Sequence, residues 1–129
     1  MRRRRQWRAA LAGWVCALLS TQAPAQTAGD PLRGAQAYES RCAGCHSVES
    51  DRVGPRHRGV LGRRAGSVAG FGYSRALQAS GLVWDAQLLE RWLADPQALV
   101  PGQAMGYSVA DPAVRTDLVA FLATLKVAN

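Results

Sequence analysis

Two cysteines and a histidine stand close together in the run Cys42-Ala43-Gly44-Cys45-His46. A Cys-x-x-Cys-His run is the signature of covalent attachment of c-type haem. Two thiols three residues apart at a helix end can each form a thioether with one haem vinyl group, and the histidine that follows is held under the ring as an iron ligand. The motif therefore predicts one haem c, attached through Cys42 and Cys45 and ligated by His46.

The same residues could also belong to a zinc site, a redox-active pair or a plain disulfide. A structural zinc site takes four ligands, and the only other cysteine or histidine after residue 25 is His57, which leaves such a site one ligand short. A thioredoxin-like redox pair would lie in an alternating β/α pattern, which the sequence lacks. A plain disulfide would not require His46. The motif favours haem over these alternatives.

The candidate for a second iron ligand is Met105, the only methionine besides Met1. Thioether sulfur is a soft ligand that favours reduced iron and raises the reduction potential. A methionine can also simply fill a gap in a core. However, Met105 follows the turn signal Pro101-Gly102 and lies about 60 residues after His46, where a returning loop could cover the opposite haem face. We therefore expect His46 and Met105 to be the two metal ligands.

Helices are the elements that would hold these residues. Asp30-Pro31 and Asp111-Pro112 each combine an N-cap with a proline at the first helical position. In the first helix, Gly34, Tyr38, Cys42 and Cys45 recur at spacings that put them on one face. Asp85 begins another helix, which Asp95-Pro96 ends. The apolar positions of these last two helices are Leu88, Leu89, Trp92 and Leu93, and Val114, Leu118, Phe121, Leu122 and Leu125.

Two long stretches between the helices lack periodicity. Residues 47–72 are rich in glycine, and a loop of this length is uncommon in a small domain unless it is functional. We interpret it as a loop wrapped around the cofactor. A short helix is expected over residues 74–80, and residues 97–110 are predicted to be loop. The sequence thus predicts an all-α fold, with about four to five helices and long loops around one covalently bound haem.

The amino terminus has the layout of a secretory signal peptide. Five arginines precede the apolar stretch 9–19, which is followed by the small-x-small pattern Ala23-Pro24-Ala25. The apolar stretch is about half a membrane span, so we expect cleavage after Ala25 rather than a retained anchor. Residues 26–129 are then one domain, and their formal charge is only +2, compared with +7 for all 129 residues. This removes the main argument for nucleic-acid binding.

Further short motifs stand on both sides of the Cys-x-x-Cys-His run in an ordered series. They are Gly29-Asp-Pro-Leu-Arg-Gly34, Val53-Gly-Pro55, Gly59-Val-Leu-Gly-Arg63, Gly70-Phe-x-Tyr73-Ser74, Gly81-x-x-Trp84, Pro101-Gly-x-x-Met105 and Asp117-Leu-Val-Ala-Phe-Leu122. Together these motifs resemble class I cytochrome c, particularly its mitochondrial cytochrome c and bacterial cytochrome c2 branch, over nearly all of residues 29–126. A single motif could arise by chance, but an ordered series of this density hardly could.

The resemblance implies roles for further residues. Pro55 would accept the ring hydrogen of His46 and fix the orientation of that ligand. Gly34 and Tyr38 would pack the first helix across the last one near Phe121. The residues that would bind or neutralise the haem propionates are Arg63, Tyr73, Ser74 and Trp84.

The resemblance also implies a function. We expect a monomeric, periplasmic one-electron carrier, without enzyme activity and without stable membrane insertion. Its donor would be a complex such as a quinol:cytochrome c reductase, and its acceptor a terminal oxidase or reductase. The alternative function is a dedicated haem subunit docked in a dehydrogenase or oxidase complex. A peroxidase-like enzyme would need an open iron site, which Met105 would fill.

Two departures from the family pattern stand out. His57 occupies a position where the family usually has a leucine that packs on the haem, and it could compete for the iron. However, it follows His46 by only eleven residues, so we expect it on the same side of the haem as His46. The docking face of the family is typically ringed by lysines, whereas this chain has one lysine, Lys126. Arg41 and Arg52 are the candidates for the remaining positive charge. We therefore expect partner docking that depends little on charge.

Overall fold

A computed structural model describes residues 28–127, so the predicted signal peptide over residues 1–25 lies outside the described residues. Within residues 28–127 the chain forms five helices. They are α1 (Pro31–Arg41), α2 (Arg75–Ala79), α3 (Ala86–Ala94), α4 (Pro96–Leu99) and α5 (Pro112–Thr124). The extended pairing in this part of the chain is a single antiparallel bridge between Arg64 and Val83. The predicted all-α fold with about four to five helices is therefore confirmed.

Aspartate caps begin four of the five helices. The carboxylate of Asp30 accepts hydrogen bonds from the amides of Leu32 and Arg33, and Asp111 and Asp85 cap α5 and α3 in the same way. These caps satisfy amides that have no partner within their own helix. The predicted starts of α1, α3 and α5 are confirmed.

The prediction that residues 97–110 form a loop is wrong at its start. Asp95 ends α3 but also caps α4, because its Oδ1 accepts hydrogen bonds from the amides of Gln97 and Ala98 at 3.1 and 3.0 Å. Asp95-Pro96 is thus the same cap-plus-proline signal that begins α1 and α5. The prediction used this signal as a helix stop, but it is a helix start as well.

The two terminal helices cross at a glycine. A Cβ atom on Gly34 would lie 2.0 Å from the carbonyl oxygen of Asp117, so α1 and α5 approach more closely than any side chain at this position would permit. Next to the crossing, the rings of Tyr38 and Phe121 are 5.2 Å apart. The expected packing of Gly34 and Tyr38 against the last helix is confirmed.

An ion pair between Arg33 and Asp117 stabilises the same crossing of α1 and α5. The Nε of Arg33 lies 2.7 Å from Asp117 Oδ2, and the amide of Asp30 donates to Asp117 Oδ1 at 2.7 Å. These hydrogen bonds, that of Arg33 above all, lower the pKa of Asp117. The carboxylate is only 11% exposed whereas the arginine is 63% exposed, so the aspartate is the desolvated partner.

The glycine-rich loop is tied to the rest of the fold by backbone hydrogen bonds. The amide of Gly59 bonds the carbonyl of Leu125, and that of Gly62 bonds the carbonyl of Trp84. Gly59 has a φ of +69°, a conformation that favours glycine. The loop is thereby held against the carboxyl-terminal end of α5 and the segment before α3. No helix within residues 28–127 is long and apolar enough to cross a membrane.

Candidate functional site

A cavity of about 540 Å³ opens between the helices and the glycine-rich loop. Most of its exposed lining is apolar, and its walls include the core side chains Leu77, Leu89, Leu93, Leu118 and Leu122. Its size and lining suit a large, mainly apolar ligand with a few polar groups. All nine site residues predicted from the sequence line it: Cys42, Cys45, His46, Pro55, Arg63, Tyr73, Ser74, Trp84 and Met105.

The cysteine motif forms a turn at the end of α1. The helix ends at Arg41, and the amides of Cys45 and His46 both donate to the carbonyl of Cys42, at 3.0 and 2.8 Å. The prediction that Cys45 shares the face of the first helix is therefore wrong, because the turn rather than the helix positions it. Cys42 is half-buried, Cys45 is exposed, and both side chains line the cavity.

The structure argues against the other uses of the two cysteines. No disulfide joins the two sulfur atoms. Burial raises the pKa of Cys42 to about 11, whereas a reactive redox cysteine needs a lowered pKa. Among the residues that the structure describes, no cluster of three or more histidine, cysteine, aspartate or glutamate side chains could hold a zinc ion.

The imidazole of His46 is fixed at one nitrogen and free at the other. Its Nδ1 lies 2.8 Å from the carbonyl oxygen of Pro55. Because a carbonyl can only accept, Nδ1 carries the hydrogen, and Nε2 keeps its lone pair. Burial lowers the pKa of His46, against the opposing effect of the Pro55 hydrogen bond, so the ring is neutral at pH 7. A Cβ on Gly54 would lie 2.1 Å from the Cε1 of His46, and the loop therefore needs a glycine there.

His57 lies beside His46. The two rings are stacked, with centroids 4.2 Å apart and planes 22° from parallel. The Nδ1 of His57 shares a hydrogen bond with the hydroxyl of Tyr38 at 3.0 Å. Burial lowers the pKa of His57 to about 3, aided by the neighbouring His46 and Arg63, so this ring is also neutral at pH 7. Its place next to His46 agrees with the side expected from the sequence.

Met105 lies in the loop between α4 and α5, and its half-buried side chain lines the cavity. The indole Nε1 of Trp92 donates to its Sδ at 3.2 Å. The side chain of Gln103 bonds its backbone. Sequence analysis missed both contacts. The helical spacing places Trp92 in an apolar stripe but carries no information about its indole N–H, and no motif predicts a contact between Gln103 and Met105.

The four residues expected at the propionates lie along another part of the cavity wall. The guanidinium of Arg63 is half-buried and donates to the carbonyls of Arg58 and Arg56 at 3.0 and 2.9 Å, so no carboxylate in these contacts neutralises it. Ser74 caps α2 by accepting from Leu77, and its hydroxyl hydrogen remains available to donate. Trp84 packs edge-on to Trp92, with ring centroids 5.3 Å apart.

Residues 32–126 match the sequence model of the cytochrome c family. The chain belongs to the cytochrome c family. Similar proteins include the cytochrome c2 of Rhodomicrobium vannielii, 43% identical over 114 residues that span 85% of this chain and 90% of that protein. The cytochrome c2 of Rhodopila globiformis is 42% identical over 101 residues, which are 76% of this chain and 95% of that protein. These matches confirm the class I cytochrome c predicted from the motifs.

A solved structure supports the same conclusion. Cytochrome cH from Methylobacterium extorquens superposes with a TM-score of 0.71 at 42% identity, covering 74% of this chain and 99% of that one. Proteins of the cytochrome c family carry one haem c attached through a Cys-x-x-Cys-His motif, and Cys42 and Cys45 have that spacing. The cofactor of this cytochrome is thus a single covalently bound haem c, as predicted. Members of the family are electron carriers that act with redox partners.

Proposed function

We propose that this cytochrome is an exported, soluble carrier of single electrons, in which His46 and Met105 would hold the haem iron. The proposal rests on one observation: both residues line the same cavity, although they are 59 positions apart in the chain. The bound haem would supply the chemistry, a one-electron change in the oxidation state of its iron. His46 offers Nε2 to the metal because Pro55 holds its Nδ1 hydrogen. Met105 offers a thioether, which favours the reduced state.

The remaining predicted residues would anchor the acidic edge of the cofactor. Arg63 brings a half-buried positive charge whose hydrogen-bond partners are neutral carbonyls. Such a charge is costly unless an anion approaches it, and the haem propionates are anions. We assign Tyr73, Ser74 and Trp84 to the same edge because their hydroxyl and indole groups can donate hydrogen bonds and line the same cavity.

Partner docking would use the rim of the cavity. Val53 and Tyr107 line the cavity and are 80% and 42% exposed, so the rim presents apolar surface. Arg41 lies on the same rim, where it donates to the Tyr107 hydroxyl at 3.5 Å, and the nearby Arg52 donates to the Ala43 carbonyl at 2.6 Å. An apolar contact with two cations suits transient docking to a donor such as a quinol:cytochrome c reductase and an acceptor such as a terminal oxidase or reductase.

The same rim supports a second candidate function. A protein docked permanently in a dehydrogenase or oxidase needs little electrostatic steering, and the exposed Val53 would be covered in such a complex. Purification from the native host at physiological salt separates the two functions. A free carrier elutes alone at the size of a monomer, whereas a haem subunit elutes with its partner.

The electron-carrier assignment itself is tested on the exported protein. Periplasmic fractionation followed by intact-mass analysis should give a chain that begins near Gln26 and carries the mass of one haem. The haem should survive acid-acetone extraction, and the reduced protein should transfer electrons without turnover of a substrate. A cytoplasmic protein, or rapid peroxidase turnover by the unaltered protein, would overturn the proposal.

A further inference from the structure

The backbone of Met105 is held by a single side chain two residues earlier in the loop. The Oε1 of Gln103 accepts a hydrogen bond from the Met105 amide, and its Nε2 donates to the Met105 carbonyl oxygen at 2.8 Å. Met105 lies outside the five helices, so no helical hydrogen bonds fix these two groups. One carboxamide therefore binds both backbone polar groups of this loop residue.

Few side chains have the chemistry for this arrangement. A carboxamide carries a donor and an acceptor side by side in one plane, whereas a carboxylate only accepts and a leucine does neither. Two hydrogen bonds from one rigid group fix the peptide planes on both sides of Met105. The direction in which the Met105 side chain leaves the backbone is then fixed as well.

Gln103 is itself anchored. Its amide donates to the carbonyl of Val100 at 3.1 Å, and its Nε2 lies 3.3 Å from the Oε1 of Gln97. The preceding Gly102 has a φ of +87°, which reverses the chain at that point. At the other end of Met105, Trp92 donates to Sδ at 3.2 Å. Met105 is thus held at its amide, its carbonyl and its sulfur.

We propose that Gln103 is a positioning residue that keeps the sulfur of Met105 in place and so limits its replacement by outside ligands. The proposal rests on the function proposed above, in which Met105 would be a ligand of the haem iron. Gln103 acts through the backbone of Met105 rather than on the metal. Such a replacement would exchange one neutral donor, the Met105 sulfur, for another, a nitrogen of the outside ligand, and would transfer no electron.

The test uses the oxidised, haem-loaded protein and imidazole as the competing ligand. Gln103→Leu keeps the approximate size of the side chain but removes both hydrogen bonds to Met105. We expect its apparent affinity for imidazole to rise about tenfold, because two hydrogen bonds of ordinary net strength correspond to roughly one order of magnitude or more in an equilibrium constant. Gln103→Glu loses the donor and should also bind imidazole more tightly than the parent.

Gln97→Ala is the matched control, because it removes only the contact on the far side of the Gln103 carboxamide. Its imidazole affinity should stay within about twofold of the parent, as usual for surface changes. A second readout is hydrogen exchange of the Met105 amide in the reduced protein, which should quicken in Gln103→Leu and not in Gln97→Ala. Unfolding in guanidinium, measured in parallel, separates loosening of the loop from loss of global stability.

The outcomes distinguish this proposal from the one on which it rests. A parent protein without a sulfur-to-iron charge-transfer band would refute Met105 as a ligand, and the role of Gln103 with it. A parent with the band, combined with equal imidazole affinities in the parent and in Gln103→Leu, would refute the role of Gln103 alone. An equal gain in Gln97→Ala would also refute it, because the effect would then belong to the loop in general.

Discussion

Replacing Trp92 by phenylalanine should lower the reduction potential. The indole N–H of Trp92 donates to the Met105 sulfur at 3.2 Å, and the side chain is only 8% exposed, so water has little access to take over the bond. The donor draws electron density from the sulfur and places partial positive charge near the iron, which favours the ferrous state. Phenylalanine keeps an aromatic ring in the wall but cannot donate.

The size of the shift in reduction potential follows from the net free energy of one buried hydrogen bond. Sulfur is a weak acceptor, so we take the low part of the usual range, about 0.5 to 1 kcal/mol, as the difference between the two oxidation states. At 59 mV per tenfold change in a one-electron equilibrium, this corresponds to a potential about 20 to 45 mV lower. The smaller ring should also destabilise the fold by about 1 to 3 kcal/mol.

A spectroelectrochemical titration at pH 7 measures the potential. Leu89→Val is the control, since Leu89 is buried and lines the same cavity but donates no hydrogen bond. Its potential should change much less than that of Trp92→Phe, even though both variants lose packing. A potential in Trp92→Phe that is unchanged or higher, or an equal fall in Leu89→Val, would refute the reasoning.

Four further outcomes are expected. Met105→Ala should lose the sulfur-to-iron band and gain weak peroxidase activity, whereas His57→Leu should keep the band; the opposite result in absorption spectra would contradict the ligand assignment. Raising the ionic strength from about 10 to 200 mM should slow electron transfer to the native partner less than tenfold, because residues 26–129 carry a formal net charge of only +2. A rate measured by stopped flow that falls by orders of magnitude would contradict this. Gly34→Ala should destabilise the fold by about 1 to 3 kcal/mol or more in guanidinium unfolding, while Gly44→Ala, with nothing within 4 Å, should not. Asp117→Asn should lower the free energy of unfolding most at neutral pH and least near pH 3. The pKa of Asp117 is lower in the folded protein than in the unfolded chain, so its charge contributes stability above the unfolded pKa, and this contribution is lost as the pH falls through the folded pKa. An equal loss of stability at both pH values would count against the pairing with Arg33.

The residues of the site that could be predicted from the sequence belong to motifs with a fixed spacing along the chain. The Cys42, Cys45 and His46 run identified the cofactor, because attachment geometry depends on neighbouring residues in the chain. The caps at Asp30 and Asp111 located α1 and α5 for the same reason.

The missed contacts depend on tertiary structure or on details of a loop. The hydrogen bond between His57 and Tyr38 joins residues 19 positions apart across a helix and a loop. The contact between Trp92 and the Met105 sulfur depends on how α3 faces the returning chain. Gln103 is only two residues from Met105, but its side chain reaches back to the backbone because of the turn that Gly102 permits, and periodicity does not encode such turns. At α4 the error was different, because Asp95-Pro96 carries a start signal as well as a stop signal.

The crossing of α1 over α5 has a consequence for the order of events during biogenesis. The Arg33–Asp117 contact spans 84 positions, and closing a chain segment of that length costs about 4 kcal/mol in entropy before any packing offsets it. The crossing therefore cannot form until α5 has been synthesised. The two thiols directly after α1 emerge much earlier. Haem joined to Cys42 and Cys45 before α5 docks would therefore be bound to a segment that the crossing does not yet hold, and docking of α5 would then close the fold around the attached cofactor.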